Sequence, residues 1–270
     1  LQAAVRGGEL RAAWLPVVDL ERREPVGHEL LLRWDHDRAG RVEPAHFLPL
    51  AEEMGLLPIV GNWVLREACS TLRALHGRMR GDAHFVAVNL SMGQLRQRDL
   101  LPRIEGLIAE FAVPASCLQF DVPDTVLVED DPDVEACLAG LRELGARVMI
   151  DDFGRGAIHL ERLARVPVDG IKLDPSCLPR PGSRRSIATA RAFFGFARDL
   201  GLTCIAEGVE SELQAAAPRR GHSLHAHWAT SSPDARTCRT PSRGTHVNTR
   251  YRTHGTGHSR GSPPGARSAS

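Results

Sequence analysis

The chain is nearly without lysine. Of its 34 basic residues, only Lys172 is not an arginine. Where arginine is the default cation, a lone lysine invites a reason tied to its position, because a compact ammonium and a planar guanidinium do different work. Also missing is any apolar run of the ~18 residues that a membrane helix requires, and no signal peptide opens the sequence. The expectation is a cytoplasmic domain, with any membrane tether lying in regions upstream. The six cysteines, at positions 69, 117, 137, 177, 204 and 238, form no Cys-x-x-Cys pair. That argues against zinc or disulfide scaffolds and for small buried side chains in a reducing compartment. Charge of one sign is lacking too: the formal net charge is +1, so the chain as a whole advertises no polymeric nucleic-acid partner. There is no initiator methionine, and Leu1 begins inside a helical pattern. Residues 1–12 are therefore expected to be a linker helix from an upstream domain.

What is present is a chain of 270 residues with 42% hydrophobic content, enough for one barrel of ordinary size. Short apolar runs at 14–20, 26–34, 85–89, 118–122, 147–151, 170–174 and 203–207 read as strands. Helical patterns lie between most of them, at 44–54, 58–75, 101–111, 132–144, 158–164, 186–200 and 210–216. Alternating strands and helices predict parallel βα units, and seven or eight of them predict a closed barrel. An open doubly wound sheet is the competing architecture, but no Gly-rich phosphate fingerprint follows the first strand.

Near Pro218 the composition changes. From there to Ser270 Arg, His, Ser, Thr, Gly and Pro dominate, Leu224 is the one leucine and Asp234 the one acid. A segment so poor in apolar surface cannot offset its ordering entropy, so 218–270 is expected to be a disordered basic tail. The preferred origin is a non-native tail such as a shifted reading frame. A nucleic-acid tail and a metal tract around His222, His225 and His227 are the functional alternatives.

In a barrel the C-terminal strand ends meet at one mouth, where catalytic side chains collect. Here those ends carry Asn89, Asp121, Asp151 with Asp152, Lys172 with Asp174, and Glu207; Glu29 lies inside an apolar strand. A carboxylate between leucines is costly unless paired or metal-bound. Oxygen ligands suit Mg²⁺ or Mn²⁺, and adjacent aspartates can serve two ions. Singly, each residue could be a helix cap or a solvated strand end; their repetition at successive strand ends is the signal.

Those residues carry a resemblance. Gly27-His28-Glu29-Leu30-Leu31-Leu32-Arg33-Trp34 resembles the signature of EAL domains, with Leu30 where that family usually has Ala. Val88-Asn89-Leu90-Ser91, Asp151-Asp152-Phe153-Gly154, Pro167-Val168-Asp169 with Ile171-Lys172-Leu173-Asp174, and Ala206-Glu207-Gly208-Val209-Glu210 resemble its other motifs, in order. The resemblance runs from about residue 10 to about 217. It implies a modified (β/α)₈ barrel with one antiparallel strand, spanning 13–217, that hydrolyses cyclic-di-GMP to linear pGpG with two Mg²⁺ or Mn²⁺ ions. By the same resemblance Glu29, Asn89, Asp121 and Asp151 hold the first ion, and Asp151 and Asp152 share the second. Glu207 ligates or positions water, Lys172 holds the nucleophilic water or a phosphate oxygen, and Arg33 contacts a substrate phosphate. Asp174, Glu210 and Asp124 support the site. The implied partners are cyclic-di-GMP, an upstream cyclase-like or sensory domain, and a second copy of the chain.

The sequence departs from the family at several places. Leu15 stands where a guanine-binding Gln is usual, and Asp121 replaces a longer Glu. Pro123-Asp124 replaces a Thr-Glu pair whose Glu steadies the loop after the Asp pair. That loop reads Arg155-Gly156-Ala157-Ile158-His159. The last strand and its Gln-Gly motif are expected to be missing beyond Ala217, leaving two unpaired edges. Alternatives to an active phosphodiesterase are therefore a degenerate module that binds the nucleotide or a protein partner, and an inert relic.

Overall fold

The computed structural model describes residues 2–20, 22–76, 84–157, 159–211, 214 and 224–228. Among the described residues nine strands form one sheet in the order β1-β9-β8-β7-β6-β5-β4-β2-β3, and a further β1–β2 pairing closes the ring. The strands are β1 Leu10–Asp19, β2 Glu24–His36, β3 Gly40–Val42, β4 Phe85–Asn89, β5 Leu118–Pro123, β6 Arg147–Phe153, β7 Gly170–Leu173, β8 Thr203–Val209 and β9 Leu224–Trp228. β1 is antiparallel to both of its neighbours, while β2, β4, β5, β6, β7, β8 and β9 pair in parallel around the rest of the ring. This is the expected modified barrel.

The helices are α1 Gln2–Gly7, α2 Pro44–Glu53, α3 Leu57–His76, α4 Met92–Leu95, α5 Leu100–Phe111, α6 Pro132–Glu143, α7 Leu160–Leu163 and α8 Arg184–Asp199. Their apolar faces pack on the outer surface of the sheet in one core that includes Leu30, Val86, Phe120, Ile150 and Ile171. A second cluster of Val17, Phe85, Ala87, Met149 and Ile205 fills the barrel interior. Side chains alternate along a strand. Asn89, Asp151 and Glu207 are each two residues beyond an interior residue, so they continue the interior face up to the mouth. Buried Cys69, Cys117, Cys137, Cys177 and Cys204 carry free thiols, in line with the sequence reading; Cys238 lies outside the described residues.

Two sequence expectations are corrected here. The first strand begins at Leu10, inside the stretch expected to be a linker helix, because residues from Leu10 onward pair in register with β2, starting at Leu10–Trp34. The helix α1 ends at Gly7. The barrel also has the strand expected to be missing. β9 pairs with β8 from Cys204–Leu224 and with β1 from Val17–His227, in the gap that would otherwise leave two open edges. Backbone pairing tolerates many sequences, and the run Leu224-His225-Ala226-His227-Trp228 alternates apolar residues with histidine and contains neither Gly nor Pro. The remainder of the 218–270 expectation, and most of the helix expected at 210–216, lie outside the described residues.

Candidate active site

β2, β5, β6, β7 and β8 bring one residue each to a single buried point. The Lys172 ammonium, 1% exposed, lies 2.9 Å from Glu207 Oε1, 3.0 Å from Asp151 Oδ1, 3.1 Å from Asp121 Oδ2 and 3.4 Å from Glu29 Oε2. The sequence reading placed Asp121, Asp151, Lys172 and Glu207 at one rim and Glu29 inside an apolar strand, and the structure brings these five together. Asn89 joins them by donating from Nδ2 to Glu29 Oε1 at 2.7 Å.

The electrostatics follow from burial. Burial pushes the carboxyls of Asp121 and Glu207 up to about 7 against the opposing pull of Lys172, and raises Asp151 as well. Burial alone would depress Lys172, but Asp121, Glu29, Asp151 and Glu207 hold it well above the usual lysine range. Four carboxyl groups thus crowd around one ammonium, an acidic setting that suits a divalent cation.

The donor set fits such a cation. Glu29, Asp121 and Asp151 each offer an oxygen, all within 4.8 Å of one another. Asp121 Oδ2 is buried and accepts no hydrogen bond from the described residues, and it faces the Lys172 charge at 3.1 Å. Carboxylate and amide oxygens suit hard divalent ions.

Asp152 is placed differently from its neighbour. Between Ile150–Ile171 and Phe153–Leu173 the pairing of β6 with β7 slips, three steps on one strand against two on the other. Asp152 absorbs the extra residue at φ 53°, in the left-handed region. The bulge leaves Asp151 facing the barrel mouth, and its Oδ1 accepts from the Asp152 backbone N–H at 2.9 Å. The Asp152 side chain instead meets Arg155, Nη1 to Oδ2 at 3.4 Å. The structure therefore does not bring Asp152 into the carboxylate cluster around Lys172.

The remaining candidates lie farther out. Asp124 sits under the loop after the Asp pair. Burial, and then the Asp152 charge, raise its carboxyl, while Arg155 opposes them. Arg33 donates to Leu32 O at 2.8 Å and pairs with Glu43 at 3.6 Å. Asp174 caps the short 3₁₀ turn Pro175–Cys177 by accepting from Ser176 N at 2.7 Å. Glu210 is exposed, and its backbone N–H donates to Gln214 Oε1.

From the mouth a cavity of about 530 Å³ runs outward between β2, β4, α2 and α3. Asn89, Asp121, Asp151, Asp152 and Arg33 line its polar end, and Leu48, Leu57 and Val64 line the apolar remainder. One buried participant was not anticipated: Gln119, whose Nε2 donates to Asp121 Oδ1 at 2.8 Å. The signal was a polar residue between Leu118 and Phe120, two positions before Asp121 and so on the same face.

The chain is similar to known proteins. Residues 1–220 match the EAL domain family. Cyclic di-GMP phosphodiesterase NbdA of Pseudomonas aeruginosa is 34% identical over 224 residues, covering 82% of this chain and 28% of that protein. Oxygen sensor protein DosP of Escherichia coli is 32% identical over 225 residues, with 82% and 28% covered. Among solved structures, the PaMucR phosphodiesterase in complex with c-di-GMP superposes with a TM-score of 0.75 at 31% identity, over 83% of this chain and 92% of that one. The FimX EAL domain of Pseudomonas aeruginosa bound to c-di-GMP shares the fold, with a TM-score of 0.73 at 22% identity and coverage of 84% and 91%. The chain spans 25–35% of the length of curated relatives that it matches. With its ordered motifs, its antiparallel first strand and its acidic mouth, the chain belongs to the EAL domain family.

Proposed function

We propose that this chain hydrolyses cyclic-di-GMP to linear pGpG with the help of two divalent cations, Mg²⁺ or Mn²⁺. The observation that carries the reading is the Lys172 ammonium held within 3.4 Å of four carboxylates at the mouth of the barrel. Glu29, Asn89, Asp121 and Asp151 would hold the first ion, and Asp151 with Asp152 the second. Bound ions would supply Lewis-acid activation of water and neutralise charge on the phosphate. Lys172 adds a fixed positive charge where a phosphodiester oxygen gains negative charge. Glu207, 2.9 Å from the Lys172 ammonium, would orient water and accept its proton. Arg33, at the polar end of the cavity, would bind a phosphate oxygen, and the apolar walls would exclude water from the bases. Asp174, Glu210 and Asp124 act from outside this centre, on the loops that frame it. The setting proposed for the domain is the cytoplasm, joined to an upstream cyclase-like or sensory domain and paired with a second copy.

Incubation of the chain with cyclic-di-GMP and Mn²⁺ or Mg²⁺, followed by chromatography of the nucleotides, tests this directly. Linear product is expected, and Glu29→Ala should abolish it. No turnover with either ion would reject the proposal. A second reading, binding without turnover, is favoured by one contact: Arg155 occupies Asp152, the carboxylate assigned to the second ion. Calorimetric binding of cyclic-di-GMP without product would select it.

A further inference from the structure

Gln119 lies on β5 two residues below Asp121, on the same interior face, and both are 1% exposed. Its register neighbours are Ala87 on β4 and Arg147 on β6. The small Ala87 leaves room beside it, and its amide turns toward the mouth and donates to Asp121 Oδ1 at 2.8 Å. The other oxygen, Oδ2, receives no hydrogen bond from the described residues and lies 3.1 Å from the Lys172 ammonium. One oxygen of Asp121 is therefore tied by a neutral donor, and the other is left to a cation.

We infer that Gln119 is a positioning residue, which fixes the Asp121 carboxylate so that Oδ2 is presented to a divalent cation. The inference rests on the metal-dependent reading above and deepens it. Asp121 is a methylene shorter than Glu29 and Glu207, so small changes in its side-chain angles move its oxygens out of reach of a shared ion. A hydrogen bond from below removes that freedom. A neutral amide suits the task better than the alternatives. A lysine or arginine here would compete with the ion for Asp121, and an ionised glutamate would add a further buried negative charge and have no hydrogen to donate.

The test is calorimetric titration of Mn²⁺ into the full chain and into Gln119→Leu and Gln119→Glu, with thermal melts to confirm folding. Both variants should bind Mn²⁺ at least about tenfold more weakly than the unaltered chain, the usual cost of losing a partner that orients a metal ligand. The glutamate variant, titrated at a pH high enough to ionise its buried carboxyl, separates positioning from simple charge. An added negative charge alone would bind the cation as tightly or more tightly, whereas loss of the donor weakens binding. Equal or tighter binding by Gln119→Glu, or unchanged binding by Gln119→Leu, overturns the inference. If the leucine variant fails to fold, the isosteric glutamate variant decides. An unaltered chain that binds no Mn²⁺ overturns the metal reading itself and this inference with it, a result distinct from failure of the variants alone.

Discussion

Arg155 Nη1 lies 3.4 Å from Asp152 Oδ2, so the chain supplies its own cation to the second aspartate of the pair. A divalent ion shared by Asp151 and Asp152 has to displace that guanidinium. The contact is weak, because Arg155 is 70% exposed and Asp152 48%, and exposed pairs contribute about 1 kcal/mol or less. Removing it should give a modest and definite gain. Arg155→Gln is expected to lower the Mn²⁺ concentration for half-maximal turnover by roughly two- to fivefold, and the gain should shrink as salt screens the pair. A higher Mn²⁺ requirement in the variant would show that Arg155 supports the site.

The Lys172 ammonium lies within 3.4 Å of the Glu29, Asp121, Asp151 and Glu207 carboxylates. Taking one partner from a buried charge network typically costs about 3–5 kcal/mol, since the remaining charges stay buried without it. Lys172→Met should therefore lower the thermal midpoint by roughly 6–20 °C in metal-free buffer. Mn²⁺ should recover part of that loss by neutralising the same carboxylates, while turnover stays absent. An unchanged midpoint in metal-free buffer would mean that the carboxylates relax away from one another once the ammonium is gone.

A pair of half-buried groups governs acid stability. His84 Nε2 lies 3.2 Å from His28 Nδ1, and the two rings are 5.2 Å apart. Burial, and then the neighbouring His84, push His28 down from 6.5 to about 4, and burial lowers His84 too. Between pH 6.5 and 4 the unfolded chain therefore takes up protons that the folded chain refuses, and stability falls as the pH falls through that window. The His28 shift alone corresponds to about 3 kcal/mol. Denaturant melts at pH 7 and pH 4.5 should show a smaller acid loss for His28→Gln than for the unaltered chain. The carboxylates at the barrel mouth are common to both proteins and cancel in the comparison. Equal acid losses would mean that His28 is protonated in the folded state.

Much of the site was legible because a strand has a period of two. Asn89, Asp121, Asp151, Lys172 and Glu207 stand at strand ends that a barrel must gather, and Lys172 was further marked by the near absence of lysine elsewhere. The same period contained Gln119, which went unread because a neutral side chain in an apolar run carries no charge to account for. Sequence adjacency could not separate Asp151 from Asp152. A one-residue bulge sends them in different directions, and a bulge is set by pairing with β7 rather than by local composition. The last strand was hidden for another reason. The arginine- and histidine-rich composition around it describes the whole segment, whereas β9 needs only five residues and two waiting edges.

Two glycines test the packing of the barrel in opposite directions. A Cβ on Gly170 would lie 2.3 Å from the Thr203 backbone oxygen and 2.6 Å from Met149 Cε, inside the ring where β7 meets β8. The methionine end can shift, but the carbonyl belongs to the strand next door and is held by its pairing. Gly170→Ala should force β7 and β8 apart and cost about 3 kcal/mol, at the upper end for an overpacked core. Gly106 lies within helix α5, where an added Cβ meets nothing within 4 Å. There the backbone freedom of glycine is a net loss, and Gly106→Ala should stabilise the chain by up to about 1 kcal/mol. Denaturant melts of the two variants should move in opposite directions. A Gly170→Ala protein as stable as its parent would mean that β7 and β8 do not pair at this register, and the placement of Lys172 two residues further along β7 would fall with it.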